Sequence, residues 1–481
     1  MMALVSACYP PLPGSGGAGP SAPHAGAAWT PPASAAREAG ESRLPADSLP
    51  AAMESRRTAL TTTDLVNLAL ERSPETRATW LAARAASASY GEARSSFFPE
   101  ITGDLSVNQL KTASTGGRVS VQQTTYGPTL SLDWLLLDFG GRAGAIDAAR
   151  QGMYSADWTH NAMVSDVVRR TTQGYFAYVG ALGLRDAQRI NLSETQVNLA
   201  ATEERRSVGV ATISDVLQAR TAVSQAELAL QQADGALDSA RGALATLIGM
   251  PPNARFDVDT TDASAPVAPI AATVDSLMQQ GLLQRPDLAA ERAQVDLRQA
   301  QARETRSQYL PSLSATGTSG TVWVAGRSGN FPSYNLGLAL SIPVFNGLGW
   351  QYAAEAAALT ADAEAARLRT MEQQVALEVY QSYQALRTAT QSVATSEQLY
   401  ASASDAVDAA RARYREGVGS LLELLTAENS LANARGQRIQ SRVQWHTSLV
   451  QLAHDAGLLQ PSGATALRLA PGQPSSPGNN R

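Results

Sequence analysis

Few residues in this chain are spaced for chemistry. The four histidines, His24, His160, His446 and His454, lack ligand spacing; His446 and His454 stand eight residues apart on a helical pattern, which does not suit a shared metal ion. One cysteine, Cys8, rules out an intrachain disulfide and a cysteine metal cluster. Asp133 and Asp138 are five apart in a strand-like stretch, so they face opposite ways and do not form an acid–base pair. Gly140-Gly141-Arg142-Ala143-Gly144 has the glycines of a phosphate loop without its Lys-Ser/Thr pair, and a strand-to-helix bend explains it better. No catalytic constellation and no cofactor is implied. What remains is electrostatic. Asp215 and Glu423 each follow a glycine-marked corner, on the first turns of a new helical pattern. A single acid there is stabilised by the helix dipole. Several such acids brought together at a constriction repel one another and favour a cation.

The two corners belong to an internal repeat. Ser207–Arg220 reads SVGVATISDVLQAR, and 208 residues on, Tyr414–Glu428 reads YREGVGSLLELLTAE, so Gly209 matches Gly417 and Asp215 matches Glu423. Ser73-Pro74-Glu75 returns as Arg285-Pro286-Asp287, and Phe98-Pro99 as Leu310-Pro311, each 212 residues on. Leu130–Asp138 returns as Leu338–Asn346, 208 residues on, which places a four-residue deletion in the second strand turn. Leu244–Gly249 also returns as Leu452–Gly457, 208 residues on, and five matches in order mean two copies of one long unit.

Between these landmarks the elements alternate. Thr63–Ala93 reads as two helices joined near Pro74, with Thr63-Asp64 as a cap. Ile101, Gly103, Leu105 and Val107 alternate with polar residues, and a turn follows at 112–120. Leu130, Leu132 and Trp134 face one way, Ser131 and Asp133 the other. In the second copy Leu336, Leu338, Leu340, Ile342 and Val344 form one face, although Pro343 requires a strand end or a bulge. Such alternation over about ten residues marks a membrane barrel or a half-buried soluble strand. From about Ala143 to Arg206 the pattern is helical without a proline, a length of about 95 Å. The return helix, to Ile248, carries a seven-residue repeat. Val216, Val223, Leu230, Leu237 and Leu244 hold one seam position; Ala219, Ala226, Ala233, Ala240 and Leu247 hold the other. That period specifies a left-handed coiled coil, and its alanines specify close approach. The second copy keeps Leu424, Leu431, Trp445 and Leu452 in register and breaks it at Arg438.

The flanks differ in kind. Residues 1–59 are a leader and disordered tether rich in Pro, Gly, Ala and Ser, and residues 461–481 a disordered tail. The copies span 60–252 and 273–460, with an extended connector at 253–272. Net charge is −5 and Lys111 is the only lysine, so nothing recommends nucleic acid as a partner. No run of about 18 apolar residues offers a transmembrane helix, so a membrane crossing requires a closed β-barrel.

Two copies of helix, proline-ended helix, strand pair, very long helix, glycine corner and return helix resemble the TolC-like outer-membrane efflux protein family over about 60–460. The junctions LLLDFGGR and IPVFNGLG and the paired corners carry the likeness. The resemblance implies a mainly α fold with a transmembrane β-barrel: a homotrimer with twelve strands and a helical periplasmic tunnel. It implies an exit duct, not an enzyme, that passes small molecules such as drugs. Its partners would be outer-membrane lipid, a periplasmic adaptor and an inner-membrane transporter. By the same resemblance Val208, Gly209, Val210, Ala211 and Thr212, with Gly417, Val418, Gly419 and Ser420, are adaptor-docking tips. Glu423 falls at a ring position of the periplasmic gate, with Thr426 where some members carry a second acid. Tyr414 and Asp215 match a tie of the closed state, and Gly419 stands where some members have arginine. Val5-Ser6-Ala7-Cys8 resembles the end of a lipoprotein signal, which implies acylation of Cys8 and a start codon upstream of Met1. Two other readings compete: the outer-membrane component of type I protein secretion, and a periplasmic coiled-coil adaptor or scaffold.

Overall fold

The computed structural model describes residues 60–113, 120–264, 266–267 and 272–459. Cys8, residues 1–59 and the tail at 461–481 lie outside the described residues, as do 114–119 in the first strand turn and parts of the connector. The first copy comprises α1 (Thr62–Arg72), α2 (Pro74–Ser95), β1 (Glu100–Ala113), β2 (Ser120–Leu137), α3 (Gly141–Ser207) and α4 (Ile213–Leu247). The second comprises α5 (Val274–Gln284), α6 (Pro286–Ser307), β3 (Ser312–Val324), β4 (Asn330–Ser341), α7 (Gly349–Arg415) and α8 (Leu421–Asp455). Helix lengths match one for one: 11, 22, 67 and 35 residues in each copy. A 67-residue helix is about 100 Å long. No helix among the described residues is long and apolar enough to cross a membrane.

Local chemistry sets the ends. The cap of α1 is Thr61 rather than Thr63: from there Asp64 sits at the third helical position and closes a capping box, with Thr61 N donating to Asp64 Oδ2 at 3.1 Å. Pro74 and Pro286 begin α2 and α6, where a missing N–H costs nothing. The return helices stop at Gly249 and Gly457, both in the left-handed region with φ of +72° and +73°. A Cβ on Gly249 would lie 2.6 Å from Arg72 Cβ at the end of α1, and one on Gly457 would lie 3.0 Å from Gln284 at the end of α5. Each glycine thus docks the short first helix of its own copy.

The four strands form one antiparallel sheet in sequence order, β1-β2-β3-β4. The β2–β3 ladder joins the two copies. Register decides the faces, because residues paired across antiparallel strands share a side. Ile101 pairs with Leu132, Leu132 with Gly317, and Gly317 with Leu336. The next rows on that side bring in Leu105, Leu130, Trp134, Leu313, Tyr334, Leu338 and Leu340. The other side carries Glu100, Thr102, Asp104, Ser131, Asp133, Thr316, Thr318 and Asn335. The apolar side has no cover within the chain, with Leu105 and Tyr334 each 83% exposed. β4 ends at Ser341, so Ile342 and Val344 lie beyond the strand they were expected to extend; Pro343 has no N–H for the ladder. Pro128 is accommodated inside β2 because the β2–β3 ladder skips Gly127 and Pro128, resuming at Tyr126↔Trp323 and Thr129↔Gly320.

The helices pair as the seven-residue seam requires. α4 packs along α3 and α8 along α7, while α3 also packs against α2, α6 and α8. Val216, Ala219, Ala226, Leu237 and Leu244 of the seam are buried. Where the second seam breaks, Arg438 pairs with Glu397 at 2.7 Å and stacks over Tyr400, so a cross-helix ion pair replaces an apolar knob.

The main core lies where α1, α3, α4 and the connector meet, around Leu65, Leu68, Tyr175, Tyr178, Leu244 and Phe256. A second cluster at Leu277, Val379, Leu386, Trp445 and Leu452 repeats it. The connector is not simply extended. Ala254, Phe256 and Val258 are buried, Leu60 bridges Val258 in parallel, and Thr261–Ser264 turn as a 3-10 helix. Tyr175 Oη donates to the Asp259 carbonyl at 2.8 Å, and burial pushes the phenol pKa up to about 12. His446 stacks on Phe176 at 4.2 Å, with Nε2 3.2 Å from the Ala263 carbonyl.

Burial, with Arg442 adding to it, lowers the His446 pKa below 6.5, while Ala263 and Asp262 oppose the shift. The neutral ring is therefore the one that fits. Stability present above the unfolded-state pKa is lost as pH falls through the folded value. The thermal midpoint should drop between about pH 7 and pH 5, and drop less in His446→Phe, which keeps the stack without the titration. An equal drop in both proteins would remove His446 as the cause.

Candidate functional site

The corners are built alike up to the point where their acids diverge. α3 ends in a Schellman turn: Val210 N donates to Arg205 O at 2.9 Å, Gly209 N donates to Arg206 O at 2.9 Å, and Gly209 has φ +83°. α7 ends in the same turn, with Val418 N to Arg413 O at 3.0 Å, Gly417 N to Tyr414 O at 3.2 Å, and Gly417 at φ +76°. Thr212 then caps α4 and Ser420 caps α8. Asp215 is consumed by its cap: its Oδ2 accepts from Thr212 N at 2.7 Å and Oγ1 at 2.8 Å. Glu423 instead reaches Arg413, with Nε–Oε1 at 3.3 Å, and stays half exposed. Thr426 shares the exposed side of α8 with Glu423 and donates its hydroxyl to Leu422 O at 2.7 Å. The tips are apolar and open to solvent, with Val208 70% and Val418 69% exposed.

Two expected residues are placed with a reason. At Gly419 a Cβ would lie 2.9 Å from Arg413 Cβ, so a larger residue there must displace the end of α7. Tyr414 does not bond Asp215 within the chain. Its hydroxyl lies 3.5 Å from Thr202 Oγ1, its carbonyl accepts from Arg205 at 2.9 Å, and the Arg205 guanidinium stacks over its ring at 4.5 Å. Within the chain the contacts of Tyr414 run from α7 to α3.

Beyond the corner the structure brings together residues that the sequence reading missed. Glu428 is buried on α8, and both of its carboxylate oxygens accept from Asn198 Nδ2 on α3, at 2.7 and 2.6 Å. Arg411 of α7 stands 3.5 Å away. Burial raises the Glu428 pKa above 4.5, against the pull of Asn198 and Arg411. Farther from the corner Arg435 holds Glu194 with two bonds, 2.9 and 3.1 Å. A signal was present: Glu428 interrupts the apolar stripe Leu421, Leu424, Leu425 and Leu431.

At the other end of α3, Arg142 occupies the glycine bend. It donates to the carbonyls of Leu135 at 2.5 Å and Leu136 at 3.1 Å, and stacks over Phe97 at 4.9 Å. Its backbone N donates to Asp138 Oδ2 at 2.5 Å. The bend is filled by its own arginine, which clamps strand to helix. Among the described residues no group of three His, Cys, Asp or Glu is placed to hold a metal ion.

The family profile described as outer membrane efflux protein matches residues 65–250 and 277–458. The chain belongs to the outer membrane efflux protein family. It is 27% identical over 407 residues to protein CyaE of Bordetella pertussis, covering 82% of this chain and 84% of that one. It is 27% identical to outer membrane protein OprJ of Pseudomonas aeruginosa, covering 82% and 83%. A membrane protein of known structure from Pseudomonas aeruginosa superposes with a TM-score of 0.72 at 26% identity, covering 82% of this chain and 93% of that one. The Campylobacter jejuni CmeC outer membrane channel shares the fold, with a TM-score of 0.73 at 21% identity, covering 84% and 88%. The chain is thus an outer-membrane efflux duct whose long helices extend into the periplasm. Members of this family are channels rather than enzymes, and they work as trimers with adaptors and inner-membrane pumps.

The efflux-family corner depends on glycine. Gly417→Ala forces a side chain to φ +76° and should cost about 1 kcal/mol. Amide exchange around residues 413–423 should then speed up roughly fivefold; unchanged exchange would show that the corner tolerates the strain.

Proposed function

We propose that three copies of this chain close one twelve-stranded barrel in the outer membrane and pass small molecules outward through a periplasmic tunnel. One observation carries the reading. A four-stranded sheet, apolar on one side and unpaired at both edges, continues directly into 67-residue helices. Four strands cannot close a barrel, and lipid leaves no solvent for unpaired edge groups. Pairing β4 of one copy with β1 of the next removes every edge.

The helices beside those edges support the same neighbour. β4 leads into α7, where Tyr352, Ala356, Leu359, Ala363, Ala366 and Thr370 follow a 4-3-4-3-4 spacing and are all exposed. α2 leads into β1 and exposes Ala78, Leu81, Ala85 and Ala88 at 3-4-3 spacing, opposite the stripe through Thr76 and Ala83 that packs on α3. Both stripes have coiled-coil spacing without an intrachain partner, and small residues permit close approach.

On this arrangement the corners form the periplasmic end. Val208, Gly209, Val210, Ala211, Thr212, Gly417, Val418, Gly419 and Ser420 form the tips that receive an adaptor, whose apolar contacts would cover Val208 and Val418. Glu423 forms a ring of three carboxylates, each tied to its own Arg413, with Thr426 beneath it and Tyr414 and Asp215 holding the corner ends. Energy comes from the inner-membrane pump. Relatives named for toluene efflux and for pyoverdine export support small-molecule cargo over a polypeptide. The Cys8 proposal stands on the sequence resemblance, with lipid as a second anchor.

Ala363→Glu should abolish the trimer on unheated gels and after chemical cross-linking, while the chain still reaches the membrane; an intact trimer would place the interface elsewhere. In planar bilayers Glu423→Gln should reduce the preference for cations over anions, read from the reversal potential. An unchanged preference would exclude the ring. Drug resistance restored to a strain lacking its own exit ducts, by this chain with its adaptor and pump, tests the duct as a whole.

A further inference from the structure

Three arginines on one flank of α2 have no carboxylate to pair with. Arg77, Arg84 and Arg94, with Trp80, Ser87 and Gly91 between them, follow a 3-4-3-4-3 spacing and are all exposed. Among the described residues no acid stands within ion-pair distance of any of the three. Arginines on the adjoining helices behave differently. Arg150 and Arg303 share Asp147, Arg169 and Arg170 share Asp166, and Arg285 holds Asp287. In a chain of net charge −5, an unneutralised basic stripe is an exception. It is separate from the stripe through Thr76 and Ala83 that packs on α3, and from Ala78, Leu81, Ala85 and Ala88, which face the neighbouring copy.

Aromatic rings stand in the same patch. Arg84 stacks over Trp80 at 5.0 Å, and Trp80 remains 44% exposed. The contact between Thr79 Oγ1 and His160 Nδ1, at 3.0 Å, sets α2 against α3 so that Trp158 comes level with Trp80, with Tyr154 one turn nearer the sheet. Both are exposed as well. α3 meets α6 through Gly144, Gly152 and Ser155, and α2 through Arg142 and His160. These two contact stripes lie about 120° apart around α3, so the wall bends, and Tyr154 and Trp158 stand on its convex side. A tunnel encloses the concave side, so the patch looks outward.

Height along the helix selects the partner. Arg84 and Arg77 lie about 24 and 35 Å short of Glu100, where β1 begins. The headgroup zone of a bilayer is only about 5–8 Å deep, so these arginines stand beyond it. A helical tube about 100 Å long that crosses the periplasm must pass through the cell-wall mesh, a glycan polymer that bears carboxylates. Arginine pairs with carboxylates bidentately. A half-exposed indole offers a flat apolar face against which a sugar ring can lie.

We propose that Arg77, Trp80 and Arg84 of α2, with Trp158 of α3, form a docking surface for the carboxylated glycan of the cell wall and hold the duct where it passes through that mesh. The inference rests on the duct reading and adds to it a partner on the outside of the tube.

The test is co-sedimentation of full-length trimer with isolated peptidoglycan sacculi, with trimer content checked on unheated gels. The parent should pellet with the sacculi. Arg84→Glu and Trp80→Ala should each lower the retained fraction about tenfold, the scale of one lost cation–π or charge contact. Arg189→Glu, an equal charge change at an exposed arginine of α3 outside the patch, should stay within about twofold of the parent. Equal retention of parent and patch variants would overturn the proposal, and so would an equal loss in Arg189→Glu, which would mean attraction by charge alone. Trimer held in phosphatidylcholine nanodiscs and mixed with phosphatidylglycerol vesicles provides the lipid arm. Binding there that falls in Arg84→Glu, with none to sacculi, would identify a lipid surface and overturn it too. Loss of trimer in both patch variants would assign the stripe to the subunit interface instead. If the parent itself forms no trimer, the duct reading falls, whereas a stable trimer that ignores sacculi removes the docking surface alone.

Discussion

Unpaired backbone at the edges of β1 and β4 is the constraint on which the rest of this protein depends. In water an edge strand can be hydrated; in a bilayer its N–H and C=O groups have no partner but another strand. The apolar side of the sheet, with Leu105, Leu336 and Leu338 exposed, places those edges in lipid. The chain alone cannot satisfy them. Its helices inherit the consequence, since α2 and α7 are joined to the edge strands and expose apolar stripes where a neighbouring copy must lie.

Duplication solves a second problem. One copy supplies one long hairpin, which shields only one side of a tunnel wall. Two copies joined through β2 and β3 give a four-helix wall in which α3 packs on α4, α6 and α8. The short helices α1 and α5 close the hairpin ends, each docked on a glycine, Gly249 or Gly457, that only a left-handed turn could place there. The repetition is not exact where function differs. The first corner spends Asp215 on its own cap, while the second leaves Glu423 free to reach Arg413. Identical backbone turns thus present different charges.

The interior of the wall is small-residue packing with polar ties at intervals. Alanine at one seam position lets paired helices approach closely, as the buried Ala219 and Ala226 show. Where the second seam fails an ion pair takes over, Arg438 with Glu397, and Arg435 ties α8 to Glu194 of α3. These bonds contribute direction more than strength, because a half-buried ion pair repays little beyond its desolvation. They hold register along helices that would otherwise slide on a smooth surface.

The sequence by itself determined the periodic and the local. The 208-residue repeat, the proline starts of α2 and α6, the seven-residue seam and the glycine corners follow from rules that act within a few turns of chain. Sheet alternation was equally legible, apart from the strand end at Ser341 that Pro343 enforces. What only the tertiary structure decided were pairings between residues far apart in the chain. Asn198 meets Glu428 across 230 positions, and Arg205 meets Tyr414 across 209. No period links such residues. Glu428 announced itself only as an acid on an apolar stripe, a pattern equally compatible with a solvated face. Which acid is buried, and which stays free, depends on the rotation of α8 against α3, and that is fixed by glycines facing Val443 and Ile439 several turns away.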